Sequence, residues 1–388
     1  MNNFIYHNPV AVYFGGNQLQ HLGKELGQYG KRVLLTYGGG SIKKTGLYDR
    51  IVAEMQKAGL EWVELSGIKP NPDIESVREG VRLCKEKKIE VLLAVGGGST
   101  IDATKFVGAG AFYPGDPWDL VSQKAAITDC LPIVTVLTLA AAGSEMNGGG
   151  VISNEATNEK LGLMHPALLP KASFLDPALT YTVPPYQTAA GSVDIIAHIM
   201  ENYFTGQKDL AMLDTVMEGF IRNVIHFAPI AMKNGEDYDA HANLMWISTW
   251  AQNSFITGAK QPSWLIHSIE HELSAFYGIT HGHGLAIVIP RWMQYVLDEK
   301  TAPRFKQFGC QVFGLSPALP AVEVAKKSID MLSAFFFDTL GLESRLSGLG
   351  IDSTRFDEMA RKACGGGVVP GFKSLGQQDI RKIYDMCL

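Results

Sequence analysis

The side chains best suited to chemistry lie in the second half of the chain, where acidic and histidine residues recur at helical spacing. Asp194 and His198 are four residues apart, and His267 and His271 repeat this spacing. Residues four apart share one face of a helix, so each pair can direct two side chains to the same side. His281 follows after a predicted helix break. One carboxylate with several imidazole nitrogens is a ligand set for Fe²⁺ or Zn²⁺ and does not distinguish the two metals.

The other histidines show no such pattern. Five of them belong to no such group of candidate ligands, and we interpret these as structural or surface residues. His283 stands two residues after His281, and spacing alone leaves its role open. The five histidines interpreted as structural or surface residues are His7, His21, His165, His226 and His241.

Two glycine runs in the first half of the chain follow apolar segments. Residues 96–99 and residues 38–41 both read Gly-Gly-Gly-Ser, directly after predicted strands. Glycines let the backbone approach a ligand closely, and the N–H groups that open the next helix favour a pyrophosphate. Each run alone is equally compatible with a tight strand-to-helix turn. Because the carboxyl ends of parallel strands line one edge of a sheet, the two runs together favour a dinucleotide site, although neither matches GxGxxG.

The residues after Tyr37 predict which dinucleotide would bind. An acidic side chain there would accept hydrogen bonds from a ribose 2′-OH and repel a 2′-phosphate. The chain instead has three glycines and a serine, with Lys43 and Lys44 close behind. This composition predicts the phosphorylated cofactor, NADP(H). The alternative is that both lysines are solvated surface charges.

The secondary structure predicted around these residues changes along the chain. Short apolar runs alternate with helical periods in the first half, as in βαβ units of a parallel sheet. After Pro184-Pro185 the sequence keeps a mostly helical period. The predicted fold is α/β plus all-α, with a Rossmann-like parallel-sheet domain at residues 1–184 and an all-helical domain at residues 185–388. We predict strands at 33–36, 62–65, 91–95 and 133–137, and helices at 44–57, 74–87 and 100–111.

Composition excludes several classes of protein. The formal net charge is −5, from 39 acidic and 34 basic residues, which gives no electrostatic footprint for nucleic acid or an anionic membrane. No apolar run approaches the roughly 20 residues of a membrane span. The first residues lack the pattern of a signal peptide, so we expect a cytoplasmic protein. The five cysteines are scattered without a CxxC pair, which disfavours a disulfide framework.

Taken together, these motifs resemble the iron-containing (group III) alcohol dehydrogenases, and within them the NADPH-dependent butanol dehydrogenase and aldehyde reductase branch. The resemblance runs over essentially the whole chain. It is specific because a glycine run with Asp102 occurs together with an ordered Asp, His, His, His set. The matching motifs include Gly38-Gly39-Gly40-Ser41-Ile42-Lys43-Lys44, Gly96-Gly97-Gly98-Ser99, Gly143-Ser144-Glu145, Val193-Asp194 with His198, His267 with Glu270-His271-Glu272-Leu273, and His281-Gly282.

The resemblance implies a dehydroquinate synthase-like fold, with the active site between the two domains, and a homodimer. It implies a divalent metal, Fe²⁺ or Zn²⁺, with the ligands Asp194, His198, His267 and His281. It assigns His271 differently, as a histidine that faces the substrate and the nicotinamide without binding metal. The implied cofactor contacts are Gly38, Gly39, Gly40, Ser41, Asn71, Gly97, Gly98, Ser99, Asp102, Thr138, Leu139, Asn147 and Lys160.

The implied reaction is hydride transfer between NADP(H) and a small apolar aldehyde or primary alcohol, such as butyraldehyde or butanol. His271 is a candidate proton relay, and the alternative is that it forms a wall of the pocket. Two other reactions stay open, namely polyol oxidation like that of glycerol dehydrogenase and a dehydroquinate-synthase-like lyase reaction. The lyase would have to hold a phosphate and a carboxylate, yet only Lys260 stands near the candidate ligands, among several aromatic residues.

Overall fold

The computed structural model describes residues 3–206, 211–258 and 260–388. We number strands and helices in chain order. The strands are β1 (Ala11–Phe14), β2 (Arg32–Tyr37), β3 (Glu61–Leu65), β4 (Val91–Gly96), β5 (Ile133–Leu137), β6 (Gly149–Asn154), β7 (Glu159–Met164), β8 (Ala172–Leu175), β9 (Val368–Val369) and β10 (Leu375–Gly376).

The helices confirm that the second half of the chain is mostly helical. None of those in the described ranges has the length and apolar character needed to cross a membrane. They are α1 (Leu22–Gly27), α2 (Ser41–Lys44), α3 (Leu47–Lys57), α4 (Ile74–Lys87), α5 (Gly98–Gly110), α6 (Trp118–Val121), α7 (Pro185–Tyr203), α8 (Ala211–Lys233), α9 (Tyr238–Ala251), α10 (Ser254–Thr257), α11 (Leu265–Tyr277), α12 (His281–Val296), α13 (Ala302–Phe313), α14 (Ala321–Ala334), α15 (Phe356–Ala363) and α16 (Gln377–Met386).

The chain forms two compact units. The sheet unit consists of His7–Val183 with Gly235–Asn253, and the helical unit is made mainly of Pro184–Asn234 and Ser254–Leu388. Helix α9 therefore packs in the sheet unit although it follows α7 and α8 in the sequence. The two predicted domains, 1–184 and 185–388, stay a prediction, and the compact units differ from them at α9.

Six parallel strands form the sheet, in the order β1-β8-β5-β4-β2-β3. Successive residues of a strand point to opposite faces. Leu34 and Leu92 pack on the face covered by α4 and α5, whereas Val33 and Leu93 pack on the face covered by α1 and α3. Because helices cover both faces, the central strands β4 and β5 are almost entirely apolar. The predicted parallel sheet is confirmed.

The carboxyl ends of β2, β4 and β5 lie side by side at one edge of the sheet. Helix α3, which follows β2, packs on one face, and α5, which follows β4, packs on the other. The winding of the chain therefore reverses between β2 and β4. Open parallel sheets bind ligands at such a switch point, beyond the carboxyl ends of the strands.

Helix α7 is the most buried element of the helical unit, and α8, α11 and α12 pack against it. It begins at Pro185, whose fixed φ suits the first turn and whose missing N–H is not needed there. Helix α11 ends where Gly278 adopts a φ of 65° as its C-cap. This confirms the predicted helix break before His281.

Candidate active site

Three helices bring the predicted metal ligands together. Asp194 and His198 lie on α7, His267 lies on α11, and His281 is the first residue of α12. The Oδ1 atom of Asp194 is 3.3 Å from Nδ1 of His198. The same atom is 3.9 Å from Nε2 of His267 and 3.6 Å from Nε2 of His281. The structure thus gathers three imidazoles around one carboxylate oxygen.

The cluster contains buried polar atoms that the protein does not satisfy. Neither Oδ1 of Asp194 nor Nε2 of His267 forms a hydrogen bond with any residue the structure describes. A buried polar atom without a partner costs about 1–3 kcal/mol, and more if it is charged. The ligand atoms of Asp194, His267 and His281 all lie within 4.8 Å of one another. A divalent cation would satisfy both atoms, and this donor set fits Fe²⁺ or Zn²⁺.

His198 differs from the other two histidines. Its Nδ1 lies 2.8 Å from the carbonyl oxygen of Asp194, one turn earlier on α7. Its ring centroid is 4.5 Å from that of His267. The group of mutually close ligand atoms comprises Asp194, His267 and His281, so the role of His198 as a fourth ligand stays a prediction.

Burial and close contact shift the pKa values in this cluster. Burial alone would raise the pKa of Asp194, but His198, His267 and His281 hold it well below its ordinary value. Burial lowers the pKa of His198 to about 3. Burial would also lower the pKa of His267, but the nearby carboxylates of Asp194 and Glu201 outweigh this and raise it to about 9. The lowered pKa values of Asp194 and His198 favour the deprotonated forms that bind a metal, whereas the raised pKa of His267 means that a metal would have to displace a proton there.

Two buried carboxylates stand behind the histidine rings. The Oε1 atom of Glu201, on α7, lies 3.3 Å from Nδ1 of His267. Glu270, on α11, is fully buried and contacts Nδ1 of His281 through Oε2. When Nδ1 is engaged in this way, Nε2 is the nitrogen left to act as a ligand.

Two glycines allow α12 to lie this close to its neighbours. A Cβ atom on Gly282 would come within 1.9 Å of the carbonyl oxygen of Ala190 on α7. A Cβ atom on Gly284 would come within 2.6 Å of Oε1 of Glu270. Both positions therefore require glycine if α12 is to present His281 to the cluster and leave room for the Glu270 carboxylate.

His271 lies beside the cluster on α11. Its ring centroid is 5.4 Å from that of His281 and 6.4 Å from that of His267. Its side chain is half-buried. The ligand atoms of His271, His281 and Glu270 form a second close group, within 4.8 Å of one another. His271 is thus near the predicted ligands but outside the group centred on Asp194.

His283 has a structural environment. Its Nδ1 is 3.1 Å from the hydroxyl of Tyr186, and its Nε2 is 2.9 Å from the carbonyl oxygen of Glu343. Both ring nitrogens are therefore engaged within the protein. His283, whose role the sequence spacing left open, therefore joins α12 to α7 and to the segment after α14.

Trp264 is an aromatic residue in contact with the histidine cluster. Its ring centroid is 5.5 Å from that of His267 and 6.1 Å from that of His198. Its backbone has a φ of 55°, a left-handed conformation that is strained for a bulky residue. This conformation, at the N-cap of α11, places the indole edge-on to the two imidazoles.

Lys260 already has a carboxylate partner. Its Nζ is 2.9 Å from Oδ1 of Asp214, a residue of α8 that Arg304 also binds. Burial lowers the pKa of Lys260, although this ion pair favours its charged form. Because its charge is neutralised, Lys260 is poorly suited to hold the phosphate of a lyase substrate.

In the sheet unit, the predicted cofactor residues line the carboxyl edge of the sheet. Residues 38–41 follow β2, residues 97–99 follow β4 and open α5, and Thr138 follows β5. A Cβ atom on Gly97 would come within 3.1 Å of the Leu139 side chain, and one on Gly98 within 3.2 Å of Ala142. These glycines let the start of α5 pack against the loop after β5, and the N-terminus of α5 can receive a phosphate.

The end of β2 has space and local positive charge. A Cβ atom on Gly39 would meet no atom within 4 Å. Lys43 is 3.2 Å from Glu64 and lies over the ring of Tyr48 at 4.5 Å. Lys44 is exposed. One of the two lysines near the glycine run is therefore held in place by an ion pair.

Asp102 and its neighbours fix the loop after β5. The hydroxyl of Ser144 donates to Oδ1 of Asp102 at 2.5 Å, and the backbone N–H of Val151 donates to Oδ2 at 3.0 Å. Asn147 donates from Nδ2 to the carbonyl oxygen of Gln252 at 3.0 Å. Asp102 and Asn147 therefore shape the edge of the predicted site, and their contact with a cofactor stays a prediction.

Lys105 lies one turn after Asp102 and has no exposed surface. Its Nζ donates to Oγ of Ser144 at 2.8 Å and to the carbonyl oxygens of Asn147 and Gly149 at 2.9 Å and 2.5 Å. Burial lowers its pKa to about 8. A single buried ammonium group thus fastens both ends of the segment 144–149.

The remaining predicted contacts, Asn71 and Lys160, come near one another through the β6-β7 hairpin. Asn71 has a φ of 52° and precedes Pro72, whose carbonyl oxygen accepts from the N–H of Ser153 at 2.8 Å. Ser153 pairs with Lys160 in the hairpin. Lys160 is buried. Both residues lie in the sheet unit, as the cofactor prediction requires.

Three residues of these networks had no role assigned from the sequence. Glu201 lies three residues after His198, and Glu270 lies three residues after His267, so helical spacing could have included both. Lys105 gave no such signal, because lysines are almost always exposed and spacing does not show which carbonyl groups surround one.

Two family models match successive parts of the chain. The model of the iron-containing alcohol dehydrogenases matches residues 9–177. The C-terminal model of the Fe-containing alcohol dehydrogenase family matches residues 188–388. Together they extend over nearly the whole chain.

Three relatives are similar to the chain over nearly its whole length. The NADH-dependent butanol dehydrogenase B of Clostridium acetobutylicum is 42% identical, over 99% of both chains. The NADPH-dependent aldehyde reductase YqhD of Escherichia coli is 37% identical, over 93% of both chains. The crystal structure of NADH-dependent butanol dehydrogenase A from Thermotoga maritima is 39% identical, has a TM-score of 0.94, and covers 100% of this chain and 99% of its own. Both nicotinamide cofactors occur among these relatives.

Proposed function

Since the chain belongs to the iron-containing alcohol dehydrogenase family, we propose that it transfers hydride between NADP(H) and a small apolar aldehyde or primary alcohol, such as butyraldehyde or butanol. The observation that carries this proposal is the cluster of imidazoles around Oδ1 of Asp194, with its two unsatisfied buried atoms. Packing alone gives no reason for three histidines and a carboxylate to lie in contact, whereas binding of a metal ion gives one.

Asp194, His267 and His281 would hold Fe²⁺ or Zn²⁺, with His198 as a fourth ligand. When bound, such a metal supplies a Lewis acid that polarises a carbonyl or alcohol oxygen. The side chain of His281 is 23% exposed, whereas those of Asp194 and His267 are 7% exposed. Substrate therefore reaches the cluster from the side of His281, where His271 also lies.

His271 is part of this proposal as the residue that passes a proton between its ring nitrogen and the substrate oxygen. Its half-buried position beside His281 supports the assignment. The alternative role is a wall of the substrate pocket. If His271 is a proton relay, His271→Ala lowers kcat about a hundredfold, and added imidazole restores part of the lost activity. If His271 only forms a wall of the pocket, the variant keeps a kcat near that of the wild type and only KM changes.

The preference for NADP(H) rests on the end of β2. A nicotinamide cofactor supplies or accepts the hydride when bound. Residues 38–41 offer backbone N–H groups and no carboxylate, and the space at Gly39 leaves room for a 2′-phosphate. Lys44 adds positive charge nearby, whereas Lys43 is paired with Glu64 and would have to exchange this partner for a phosphate. The predicted homodimer and cytoplasmic location stay predictions.

A substrate screen on metal-depleted and metal-reloaded protein tests the proposed function. NADPH oxidation is measured with aldehydes of increasing chain length after loading Fe²⁺ or Zn²⁺. We expect activity only in reloaded protein. Each added CH₂ that becomes buried contributes about 0.8 kcal/mol, so kcat/KM should rise about fourfold per carbon from acetaldehyde to butyraldehyde. Loaded protein that oxidises neither NADPH nor NADH with any aldehyde would contradict the proposal.

A further inference from the structure

We propose that Glu201 and Glu270 are positioning residues that set the metal affinity of this centre by orienting and polarising His267 and His281. The proposal rests on the proposed function only in taking these histidines as metal ligands. Neither glutamate lies in the group centred on Asp194. Both act through a histidine.

Glu201 holds His267 at two points. Its Oε1 accepts the backbone N–H of His267 at 3.1 Å and lies 3.3 Å from Nδ1 of the same residue. The glutamate side chain is 4% exposed, and it comes from α7, two turns after Asp194. One carboxylate oxygen therefore fixes both the first turn of α11 and the orientation of its imidazole.

Both carboxylate oxygens of Glu270 have partners, and the neighbouring helix leaves space for the side chain. Its Oε1 accepts from the hydroxyl of Ser274 at 2.6 Å, and its Oε2 contacts Nδ1 of His281. The carboxylate has no exposed surface. The missing side chain of Gly284 provides the space, since a Cβ atom there would lie 2.6 Å from Oε1.

His198 provides the internal contrast. Its Nδ1 is bonded to the backbone carbonyl of Asp194 at 2.8 Å, and the carboxylate 3.3 Å from this nitrogen is that of Asp194, itself a proposed ligand, and not a separate outer glutamate. A carboxylate acceptor fixes the tautomer as a carbonyl does, and it also increases the basicity of the ligating nitrogen. His267 and His281 each have an outer glutamate at Nδ1, and they are the two that belong to the close group with Asp194.

Glutamine variants separate charge from shape at both positions. In Glu201→Gln a single amide oxygen can still accept both bonds from His267, and in Glu270→Gln the Ser274 hydroxyl can accept from the new NH₂ group. Loss of an outer carboxylate typically costs 10–100-fold in metal affinity. We expect each variant to bind Zn²⁺ and Co²⁺ about 10–100-fold more weakly in competition with a chromophoric chelator. The visible spectrum of the Co²⁺ form should also shift.

The matched control is Glu272→Gln. Glu272 is a buried glutamate on the same helix as Glu270, and its carboxylate pairs with Lys362 at 3.5 Å. This variant should keep wild-type metal affinity and an unchanged Co²⁺ spectrum. If a glutamine variant does not fold, Glu201→Asp or Glu270→Asp retains the charge, and binding should be tighter than in any folded variant without it.

Folded glutamine variants that bind Zn²⁺ within twofold of the wild type, with an unchanged Co²⁺ spectrum, would overturn the proposal. An equal loss of affinity in Glu272→Gln would overturn it as well, because the effect would then be structural. The measurement uses neither aldehyde nor nicotinamide cofactor. Failure of this proposal and failure of the proposed function can therefore be told apart.

Discussion

The glycine-rich edge of the sheet and the histidine cluster are constructed in opposite ways. The edge consists of backbone and small residues at the ends of adjacent strands, such as residues 38–41 and 97–99. The cluster consists of side chains from three helices, with carboxylates behind two of its imidazoles. A backbone site needs space, whereas a side-chain site needs partners that fix each ring.

This contrast predicts how each region responds to change. At the sheet edge, an added side chain acts by occupying space or by bringing charge to a position that has none. In the cluster, removal of one side chain leaves other buried charges without compensation. We therefore expect larger losses from single changes in the cluster than at the edge.

The largest expected effect is that of His267→Ala. The variant removes one of the three residues with mutually close ligand atoms, so we expect the metal content to fall to near zero. A Lewis acid contributes several kcal/mol, and kcat should fall by at least about a thousandfold, or about 4 kcal/mol. Metal analysis and steady-state kinetics measure the two losses.

The control for this change is His283→Gln. It alters a buried histidine whose two ring nitrogens bond within the protein. We expect a less stable protein that keeps its metal. If His267→Ala retained metal and activity to the same degree as this control, the cluster would not be the metal site.

Lys105→Met tests a point where the sheet edge depends on a buried side chain. The variant leaves Ser144 and the carbonyl groups of Asn147 and Gly149 without their donor. At about 1 kcal/mol for each lost partner, the free energy of unfolding should fall by about 3 kcal/mol. KM for the cofactor should rise about tenfold with little change in kcat. The matched control is Lys85→Met, at an exposed residue, which should change neither KM nor kcat.

The same variant gives a pH dependence of known sign. Burial lowers the pKa of Lys105 from 10.5 to about 8, so between these values the unfolded chain binds more protons than the folded chain. Stability from this group therefore rises with pH across that interval and is lost as pH falls to about 8. Urea unfolding should show a wild-type advantage over Lys105→Met that widens from pH 8 to pH 10. An advantage that narrows would contradict the assignment.

At the sheet edge we also expect a change of cofactor preference in Gly39→Asp, without the loss of stability expected for Lys105→Met. The space at Gly39 accommodates the side chain, and the new carboxylate would repel a 2′-phosphate and accept from a 2′-OH. A charge-assisted hydrogen bond contributes about 1.5–3 kcal/mol, so the ratio of kcat/KM for NADPH to that for NADH should fall roughly ten- to a hundredfold. Gly39→Ala adds bulk without charge and should leave the ratio within about twofold. Equal ratios in all three proteins would remove the basis for the NADP(H) assignment.

Local patterns predicted much of the fold. The strand at 91–95 and the helix at 74–87 were predictable because apolar runs and a 3.6-residue period depend only on nearby sequence. The single helix predicted at 44–57 is wrong at its start, since Gly46 adopts a φ of 74° and separates α2 from α3. The packing of α9 in the sheet unit depends on contacts between distant segments, such as Thr249 with Glu145.

The candidate site shows the same division. Spacing placed Asp194 and His198 on one helix face, but it could not show that α11 and α12 bring His267 and His281 to the same carboxylate oxygen. It also could not explain why Gly282 follows His281. The reason is the close approach of α12 to the carbonyl oxygen of Ala190 on α7, which only the tertiary structure shows.

The central claim is that the histidine cluster holds one catalytic metal, and a titration of metal-depleted protein tests it most directly. Fe²⁺ or Zn²⁺ is returned stepwise while bound metal and the rate of NADPH oxidation with butyraldehyde are measured on the same sample. We expect a rate that rises in proportion to bound metal, reaches a plateau at one ion per chain, and does not rise in His267→Ala. Full activity in metal-free protein, or a wild-type response in His267→Ala, would contradict it.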